Sequence, residues 1–234
     1  MNVRWLVLGV ALACGSQDAS EHAGGRDAIA AAAPVKLPAP GRVGRVSLEQ
    51  ALEARRSVRH YTAQAVSMPH TAQLLWAAQG ITEPVRGLRT APSAGGRFPI
   101  EVDVVITGVG GLGDGIYRYA PKGHTLTLRR SGDLRRVIHD AALQQDPVLS
   151  APLLVVLSGV VARTEARYGD RAGRYVLMEA GHVAQNVLLQ AAALGLAAVS
   201  IGAAEDAALS EALGLSPGEQ PIYVIAVGHP QEAG

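Results

Sequence analysis

The sequence predicts an α+β fold. Segments with the apolar spacing of helices and segments rich in β-branched residues are mixed along the chain, without the regular alternation that builds a parallel sheet. The chain has 234 residues, of which 48% are apolar and 18% charged, so it is long enough to bury the core of one domain. Its 21 basic and 20 acidic residues leave no marked positive excess, which argues against nucleic-acid binding.

Residues 1–14 have the form of a secretory signal. Arg4 precedes an apolar run, Trp5 to Ala13, that is too short to span a bilayer as a helix. Ala11-Leu12-Ala13-Cys14 resembles the lipobox of bacterial lipoproteins, although the usual order begins with leucine. This resemblance implies a protein of the cell envelope that contacts the membrane only through a lipid on Cys14, the single cysteine. The alternative is a cytoplasmic protein with an apolar N-terminus.

Residues 15–46 are predicted to form a flexible tether of alanine, proline and glycine. They contain Gly24-Gly25, the tract Ala30–Ala33 and several prolines, and they show no apolar period. The alternative is an N-terminal arm that wraps a partner subunit. The folded domain is expected to occupy residues 47–230.

Helices are predicted from their end signals and their spacing. Ser47-Leu48-Glu49-Gln50 has the form of a capping box and begins the first helix. The second runs from Ser67 to Gln79, with Pro69 in its first turn and Gly80 at its C-cap. The remaining predicted helices are Leu134–Leu143, Arg171–Leu194 and Asp206–Leu213.

The long helix Arg171–Leu194 carries apolar residues around nearly its whole circumference, which is typical of a buried helix. We expect it to pack in the core and against a second subunit. Buried polar groups need partners, so its one polar stripe predicts a hydrogen-bond network that anchors neighbouring loops. The alternative is that part of this stripe faces a cofactor or substrate. The stripe consists of Glu179, His182, Asn186 and Gln190, with Gln185 beside it.

Strands are predicted where β-branched and apolar residues run between turn signals. The run Leu153–Leu157 is wholly apolar, which favours a central strand buried on both faces. A hairpin is expected around Pro121-Lys122-Gly123. The other predicted strands are Glu101–Thr107, Ile116–Tyr119, His124–Arg129, Ala197–Ile201 and Ile222–Val227.

Two motifs that suggest other chemistry lack the surroundings they need. Gly108–Gly113 fits the dinucleotide pattern G-x-G-x-x-G, but that motif must open a helix and the next residues favour a turn and a strand. We interpret it as a loop between strands. Glu179 and His182 have the E-x-x-H spacing of di-iron helices, yet the sequence lacks a second such motif, so no metal site is predicted.

Two other segments suggest binding of a flat, phosphorylated ligand. Arg55-Arg56-Ser57-Val58-Arg59 brings three guanidinium groups and a hydroxyl together, and arginine donates to phosphate in a fixed fork. A solvated basic surface is the alternative for this cluster. The segment from Pro92 to Glu101, P-S-A-G-G-R-F-P-I-E, is a turn of small residues that lets backbone approach a flat ligand closely.

Four segments, in their order and spacing, resemble the nitroreductase superfamily, in particular the SagB-like dehydrogenases that oxidise azolines in thiazole- and oxazole-modified peptides. They are the arginine cluster, the small-residue turn, Arg174–Asn186 with its pattern E-A-G-H-x-A-Q-N, and Ser200–Ala203. The resemblance covers residues 47–230. It implies an FMN enzyme with an α/β sandwich, a mostly antiparallel central sheet flanked by helices, and the long helix at a homodimer interface.

The resemblance also implies which residues bind the polar end of FMN. Arg55, Arg56 and Ser57 would hold the phosphate and the ribityl chain. Arg59 would lie near the pyrimidine edge of the ring, where a cation tunes the redox potential. Many relatives have a basic residue beyond the last strand, and His229 stands in that region here.

The ring contacts that the resemblance implies come from small residues on two segments. The residues at 92–94 would come from the partner subunit and lie along the ring. The residues at 202–203 would present backbone groups to the flavin N5. Gly96 stands where many nitroreductases have an amide side chain that reaches the flavin. The implied contacts are Pro92, Ser93 and Ala94 on the first segment, and Gly202 and Ala203 on the second.

Arg167-Tyr168 stands where the azoline dehydrogenases have a Lys-Tyr pair, and we expect it to be the catalytic pair. Arginine keeps its proton, so Tyr168 is left for proton transfer. The resemblance implies ping-pong hydride transfer through flavin N5 to or from a small organic substrate, with NAD(P)H as a transient donor. Two alternatives stay open: a SagB-like azoline dehydrogenase acting on modified peptides, and a non-catalytic, lipid-anchored protein that binds flavin or another ligand.

Overall fold

The computed structural model describes residues 33–231. The predicted signal segment with Cys14, and residues 15–32 of the predicted tether, lie outside the described residues. In the part of the chain that is described, no helix has the length and apolar character needed to cross a membrane. The helices and strands are β1 (Val35–Lys36), α1 (Leu48–Ala54), α2 (Met68–Gln79), β2 (Ile81–Glu83), β3 (Leu88–Arg89), β4 (Ile100–Ile106), β5 (Gly115–Ala120), β6 (Thr125–Ser131), α3 (Arg135–Ala141), α4 (Asp146–Ser150), β7 (Leu153–Val160), α5 (Val161–Tyr168), α6 (Ala172–Ala193), β8 (Ala197–Ile201), α7 (Asp206–Leu213) and β9 (Glu219–Gly228).

Within residues 33–231, seven strands form one sheet in the order β1-β6-β5-β4-β7-β9-β8, and every neighbouring pair is antiparallel. Strands β2 and β3 form a separate hairpin. Strand β7 pairs with β4 on one side and β9 on the other, which confirms that the apolar run Leu153–Leu157 is central. The α+β prediction, with an antiparallel central sheet flanked by helices, is confirmed.

The sheet has a hydrophobic core on each face, and β7 serves both. Leu153, Val155 and Leu157 belong to the core under α2 and α6. Leu154 and Val156 belong to the core under α3, α4 and α7. Successive side chains of a strand point to opposite faces, so a strand covered on both faces has an uninterrupted apolar sequence.

The predicted helix ends of α1 and α2 are confirmed. Ser47 forms the capping box, with its Oγ accepting from the Gln50 amide at 3.2 Å and its own amide donating to Gln50 Oε1 at 2.8 Å. Ser67 caps α2 by accepting from the His70 amide at 3.3 Å. Gly80 ends α2 for reasons of space, since a Cβ there would lie 2.1 Å from Cδ1 of Trp76.

Helix α6 lies directly on the sheet at Gly159 of β7, where a Cβ would come within 2.6 Å of Val176 Cγ1. Helix α6 is buried on one side in the single chain, and the expectation that another side packs against a second subunit stays a prediction. Leu177 is 61% exposed and Met178 46% exposed, and the neighbouring Gly181 is exposed too. The reason is geometric, because the sheet and α2 cover only the opposite side of α6.

Residues 33–46 are not the free tether that the sequence suggested. Val35 and Lys36 pair with β6, and the Leu37 side chain is 3% exposed in the core. The amide of Gly41 donates to Gln73 Oε1 at 2.8 Å. The segment lacks an apolar period because a single side chain, Leu37, carries most of its burial.

Two segments around the sheet bear on the motifs. Strand β4 ends at Ile106 and β5 begins at Gly115, so Gly108–Gly113 joins two antiparallel strands, as predicted. Helix α5 was not predicted. It begins at Val161 immediately after β7 with no capping hydrogen bond from Val160, so the sequence holds no start signal for it.

An ion-pair network fixes β4, β5 and the start of β9 together. Asp103 is fully buried, and Arg118 on the opposite strand binds it with Nε–Oδ1 at 2.8 Å and Nη2–Oδ2 at 2.9 Å. The same guanidinium donates to Glu219 Oε2 at 2.7 Å. Burial alone would raise the pKa of Glu219, but the hydrogen bonds and charge of Arg118 outweigh it and hold the pKa below its usual value.

We predict that Arg118→Met lowers the free energy of unfolding by about 3–5 kcal/mol in urea titrations, because it leaves a buried carboxylate without its main partner. The pKa of Glu219 is lowered in the folded protein. The stabilisation from its ion pair with Arg118 is therefore complete above the usual pKa of glutamate and is lost as the pH falls through the lowered pKa. The difference in free energy of unfolding between wild type and Arg118→Met should therefore become smaller in acid.

The control for this prediction is Arg86→Met. Arg86 pairs with Glu83 at 3.1 Å on the surface, with its side chain 73% exposed, and exposed pairs contribute at most about 1 kcal/mol. Equal losses for the two variants would contradict the assignment of Arg118.

Candidate functional site

The small-residue turn, residues 92–98, is held in shape by its own backbone. Ala94–Gly96 form one turn of 3₁₀ helix, in which Gly95 and Gly96 have φ angles of 59° and 64°. These left-handed values favour glycine. The Gly96 amide donates to the Ser93 carbonyl at 3.0 Å, and the Phe98 amide donates to Ser93 Oγ at 2.7 Å.

The polar stripe of α6 anchors the chain around this turn, as one of the two sequence interpretations predicted. Glu179 Oε1 accepts from the Ala94 amide at 2.8 Å. Asn186 Nδ2 donates to the Thr90 carbonyl at 3.3 Å. Gln190 accepts from Gln73 at 3.0 Å, and Gln73 in turn binds Gly41. Exposed His182 is the member of the stripe without such an anchoring contact among the described residues.

Glu179 is an unusual residue for such a buried position. Glu179 is only 4% exposed, and its Oε2 atom has no hydrogen-bond partner within residues 33–231. Burial raises the pKa of Glu179, while the Ala94 amide, the nearby Ser93 hydroxyl and His182 act to lower it. The carboxylate thus lies directly behind the turn in surroundings that disfavour its charge.

Helix α5 covers the other side of the turn. A Cβ built on Gly95 would lie 2.9 Å from Tyr168 Oη and 3.0 Å from Arg167 Cδ. The Tyr168 ring packs edge-to-face on Tyr175, with centroids 5.1 Å apart. The fold therefore places the predicted catalytic pair, Arg167 and Tyr168, against the predicted ring-contacting turn.

Phe98 closes the turn in a conformation that side chains rarely adopt, with φ at 47°. Arg163 of α5 donates to its carbonyl at 3.1 Å. Arg89 lies over its ring, with the guanidinium carbon 4.3 Å from the centroid. These contacts hold the turn from two further sides. Neither Arg89 nor Arg163 could be recognised from the sequence, because both act through tertiary contacts.

The arginine cluster lies elsewhere, beside the first residues of β8. Ser57 forms a bridge with Ala198, and the Val58 amide donates to the Ala198 carbonyl at 3.1 Å. Arg55 and Arg56 line a cavity of about 190 Å³, and Arg56 also donates to the backbone carbonyls of Glu53 and Arg55. Arg59 is exposed.

The segment beyond the last strand returns to this cluster. Pro230 lines the same cavity as Arg55. The His229 carbonyl accepts from the Thr62 amide at 3.0 Å, and the Gln231 amide donates to the His60 carbonyl at 3.2 Å. His229 therefore lies in the neighbourhood of the cluster, where the resemblance implied a basic residue.

The other predicted ring contacts, Gly202 and Ala203, follow the last residue of β8 and are exposed. Gly202 lines a cavity of about 330 Å³ together with Gly159, Gly173 and residues of the first turns of α6. The Ala203 carbonyl accepts from Gln145 Nε2 at 3.0 Å. Three glycines among the lining residues thus help to leave space at this end of the sheet.

The predicted site residues form two separate groups in one chain. The cavity of the arginine cluster is bounded by Leu188 and Ala192 of α6, whereas the turn is tied to Glu179. These positions are 9 and 13 residues apart, which is about 14–20 Å along a helix. One chain therefore does not bring the arginine cluster and the turn together.

The comparison with known families identifies this arrangement. The model of the Nitroreductase family matches residues 52–229. The chain belongs to the nitroreductase family. The predicted resemblance to the nitroreductase superfamily is thereby confirmed, and the fold is a nitroreductase-type oxidoreductase scaffold.

Similarity to individual proteins supports the same family assignment. A protein of Methanocaldococcus jannaschii named "Putative nitroreductase" is 39% identical over 183 residues, covering 78% of this chain and 91% of that protein. A likewise putative nitroreductase from Ralstonia eutropha JMP134 has a crystal structure with TM-score 0.75 at 30% identity, covering 86% of this chain and 90% of that one. The NADPH:FMN oxidoreductase of Vibrio harveyi, complexed with NAD+, shares the fold with TM-score 0.58 at 20% identity, over 79% of this chain and 69% of that one.

Gly95→Ala and Gly96→Ala test the contact between the turn and α5. Both place a side chain at left-handed φ, which costs about 1–2 kcal/mol. A Cβ at Gly96 has nothing within 4 Å, whereas one at Gly95 meets Tyr168 and Arg167. We expect Gly95→Ala to lower the free energy of unfolding by about 1 kcal/mol more than Gly96→Ala in urea titrations.

A Tyr168→Phe background separates the clash from the backbone strain. Removing the hydroxyl takes away the atom nearest to the new Cβ, so Gly95→Ala should cost less in that background than in wild type. An unchanged cost would mean that Tyr168 does not lie against the turn.

Proposed function

We propose that this nitroreductase-family protein is an FMN-dependent oxidoreductase that works as a homodimer on a small organic substrate. One observation carries the proposal. The groups suited to the phosphate end and to the ring of FMN face outward at separate places of one chain, so a complete site requires a second chain. The family membership and the FMN named for the Vibrio harveyi relative support the choice of cofactor.

The residues present fit a flavin mononucleotide. A dianionic phosphate suits the cluster of Arg55, Arg56 and Ser57, because arginine binds phosphate oxygens bidentately. A flat ring suits a turn whose Gly96 has no neighbour within 4 Å of its Cβ position. It also suits the exposed backbone at Gly202. Neither place requires a side chain to move aside.

The exposed apolar surface supports a dimer. Leu177 and Met178 on α6 and Leu48 and Leu52 on α1 are exposed in the single chain. They lie towards the two ends of α6, and exposed apolar side chains of this kind commonly mark an interface. In a two-fold symmetric dimer, every contact between the chains occurs twice. If the arginine cluster of one chain meets the 92–98 turn of the other, the dimer therefore contains two equivalent sites.

FMN, when bound, supplies reversible hydride transfer at its N5 atom. The chain's own residues bind and orient it. Arg55 and Arg56 would hold the phosphate, and Arg59 would place positive charge near the pyrimidine edge. The 92–98 turn would exclude water from one face of the ring. The other face would be left for the two substrates in turn, which is the arrangement of ping-pong kinetics with NAD(P)H as the donor.

Tyr168 is the group suited to move a proton at this site. Its Oη lies next to Gly95 on the turn, within reach of a substrate placed over the ring. Arginine is not suited to act as a base, so the role that fits Arg167 is to orient or neutralise an anionic substrate. This favours reduction of a small acceptor over azoline oxidation with a lysine-type base.

The absorption spectrum and FMN titration of the purified chain test the cofactor. We expect the visible absorption of bound oxidised flavin, and weaker FMN binding in Arg55→Ala/Arg59→Ala. The loss should be about tenfold or more, since each hydrogen bond to a charged group contributes about 1.5–3 kcal/mol. Arg86→Ala, which removes an exposed arginine on the β2–β3 hairpin, is the matched control and should bind FMN like wild type.

The outcomes separate the alternatives. A colourless wild-type chain that takes up no added FMN would contradict the flavin assignment. If Arg55→Ala/Arg59→Ala binds FMN with wild-type affinity, the assignment of these arginines to FMN binding is wrong, but the flavin assignment itself is not affected. A chain that binds FMN but transfers no hydride from NAD(P)H to quinone or nitroaromatic acceptors would favour a non-catalytic binding protein.

Mixed dimers test whether the site is shared between chains. Arg55→Ala/Arg59→Ala damages the phosphate group, and Gly95→Val damages the turn by adding branched carbons where even a Cβ is too close to Tyr168. In a mixed dimer, one site receives both damaged halves and the other receives two intact halves. We therefore expect one tight FMN site per tagged and purified mixed dimer.

The two parent homodimers, each with both sites damaged, are the controls for this experiment. No recovery of tight binding in mixed dimers would contradict the shared site. It would mean that both halves act within one chain.

A further inference from the structure

The segment that leads into the small-residue turn is fixed to α6 at two points. Asn186 binds the Thr90 carbonyl and Glu179 binds the Ala94 amide. The two α6 residues are seven positions apart, which is about 10.5 Å and two turns on one face of the helix. The two hydrogen bonds therefore fix both ends of a five-residue segment, which bends at Thr90 and Ala91.

The two anchors have different consequences for the site. The Thr90 anchor lies next to the end of α2, where the Thr90 amide also donates to the Gly80 carbonyl at 3.0 Å. The Ala94 anchor lies in the turn itself, one residue before Gly95, which faces Tyr168. Among the described residues, Glu179 is the α6 side chain that hydrogen-bonds the turn. This bond is therefore the direct hydrogen-bonded link between the turn and α6.

The fold by itself does not need a carboxylate at position 179. The residue is 4% exposed and Oε2 has no partner among residues 33–231, so the group loses hydration without full compensation. A buried charge of this kind usually lowers stability relative to an apolar residue. Its benefit must lie in what Oε1 does to the Ala94 amide.

The groups around Glu179 define what its carboxylate acts on. The turn contributes the Ser93 hydroxyl and the Ala94 amide, and His182 lies on the same helix as Glu179. Helix α5 brings Arg167 and Tyr168 to the opposite side of Gly95. The turn is therefore held between a hydrogen bond to α6 and van der Waals contact with α5.

We propose that Glu179 is a positioning residue, which fixes the 92–98 turn through the Ala94 amide at the height where it contacts the flavin ring. The inference rests on the proposed function for the identity of the ligand. It assigns to Glu179 a role in cofactor affinity, although the residue itself lies behind the turn and touches no ligand.

The first test measures the turn without any cofactor. Hydrogen exchange of a peptide covering residues 92–98 in the apo-protein should be about tenfold faster in Glu179→Leu than in wild type, because a hydrogen bond to a charged group is lost. Glu179→Gln keeps an oxygen acceptor and should exchange like wild type. Gln190→Leu, which breaks a stripe contact far from the turn, is the matched control and should leave this peptide unchanged.

The second test measures FMN binding by the same variants. Glu179→Leu should weaken FMN binding about tenfold or more and alter the visible spectrum of the residual bound flavin. Glu179→Gln should restore both. Thermal unfolding of the apo-proteins shows whether Glu179→Leu is folded, and we expect it to be, since leucine removes the poorly compensated buried charge.

Each outcome decides the proposal separately from the flavin assignment. Unchanged exchange in Glu179→Leu overturns it, whether or not the wild-type chain binds FMN. Faster exchange with wild-type FMN affinity and spectrum also overturns it, because the turn would then be loosened without consequence for the ligand. If wild type binds no FMN, the proposed function fails, and the exchange data alone show whether Glu179 fixes the turn.

Discussion

Helix α6 can lie close to strand β7 only because position 159 has no side chain. A Cβ there would collide with Val176 at 2.6 Å. With one side of α6 fixed on the sheet, its polar stripe has a defined height and direction, and Glu179 and Asn186 can reach the chain before and within the turn. The position of the candidate site therefore depends on a packing contact in the core, several residues away from any ligand.

The near-neutral composition conceals two charge arrangements with opposite purposes. Around Asp103, acidic and basic side chains neutralise each other in the interior and tie β4, β5 and β9 together. Around Arg55 and Arg59, basic side chains gather without an acidic partner at ion-pair distance among the described residues. Only the second arrangement leaves charge available for an anionic ligand.

Local signals explain which parts of the fold could be predicted. Strand β8 and helix α7 have the predicted bounds, and Ser47 and Ser67 cap their helices, because each rests on neighbouring residues. Residues 33–46 were misjudged because their order comes from distant partners, β6 and Gln73. Helix α5 has no cap to announce it.

The candidate site divides in the same way. Residue types with distinctive chemistry, such as Arg55 and Tyr168, could be named from the sequence and the family pattern. The hydrogen-bond partner of Glu179 could not be named from the sequence. That partner is the backbone amide of Ala94, and almost every position of a chain has such an amide. Sequence analysis could state that the stripe anchors loops, but only the fold shows which loop and which atom.

The strained residue Phe98 indicates that the turn is fixed before any ligand arrives. A left-handed φ in a bulky residue persists only where the surroundings over-determine it. Here Ser93 holds its amide, Arg163 its carbonyl and Arg89 its ring. Glu179 fixes the same turn at Ala94. Little conformational entropy of the turn therefore remains to be lost on binding. A preformed surface of this kind binds a rigid, flat ring more tightly than a mobile loop does. Under the proposed function, the step that completes the site is the association of two chains and not the folding of a loop.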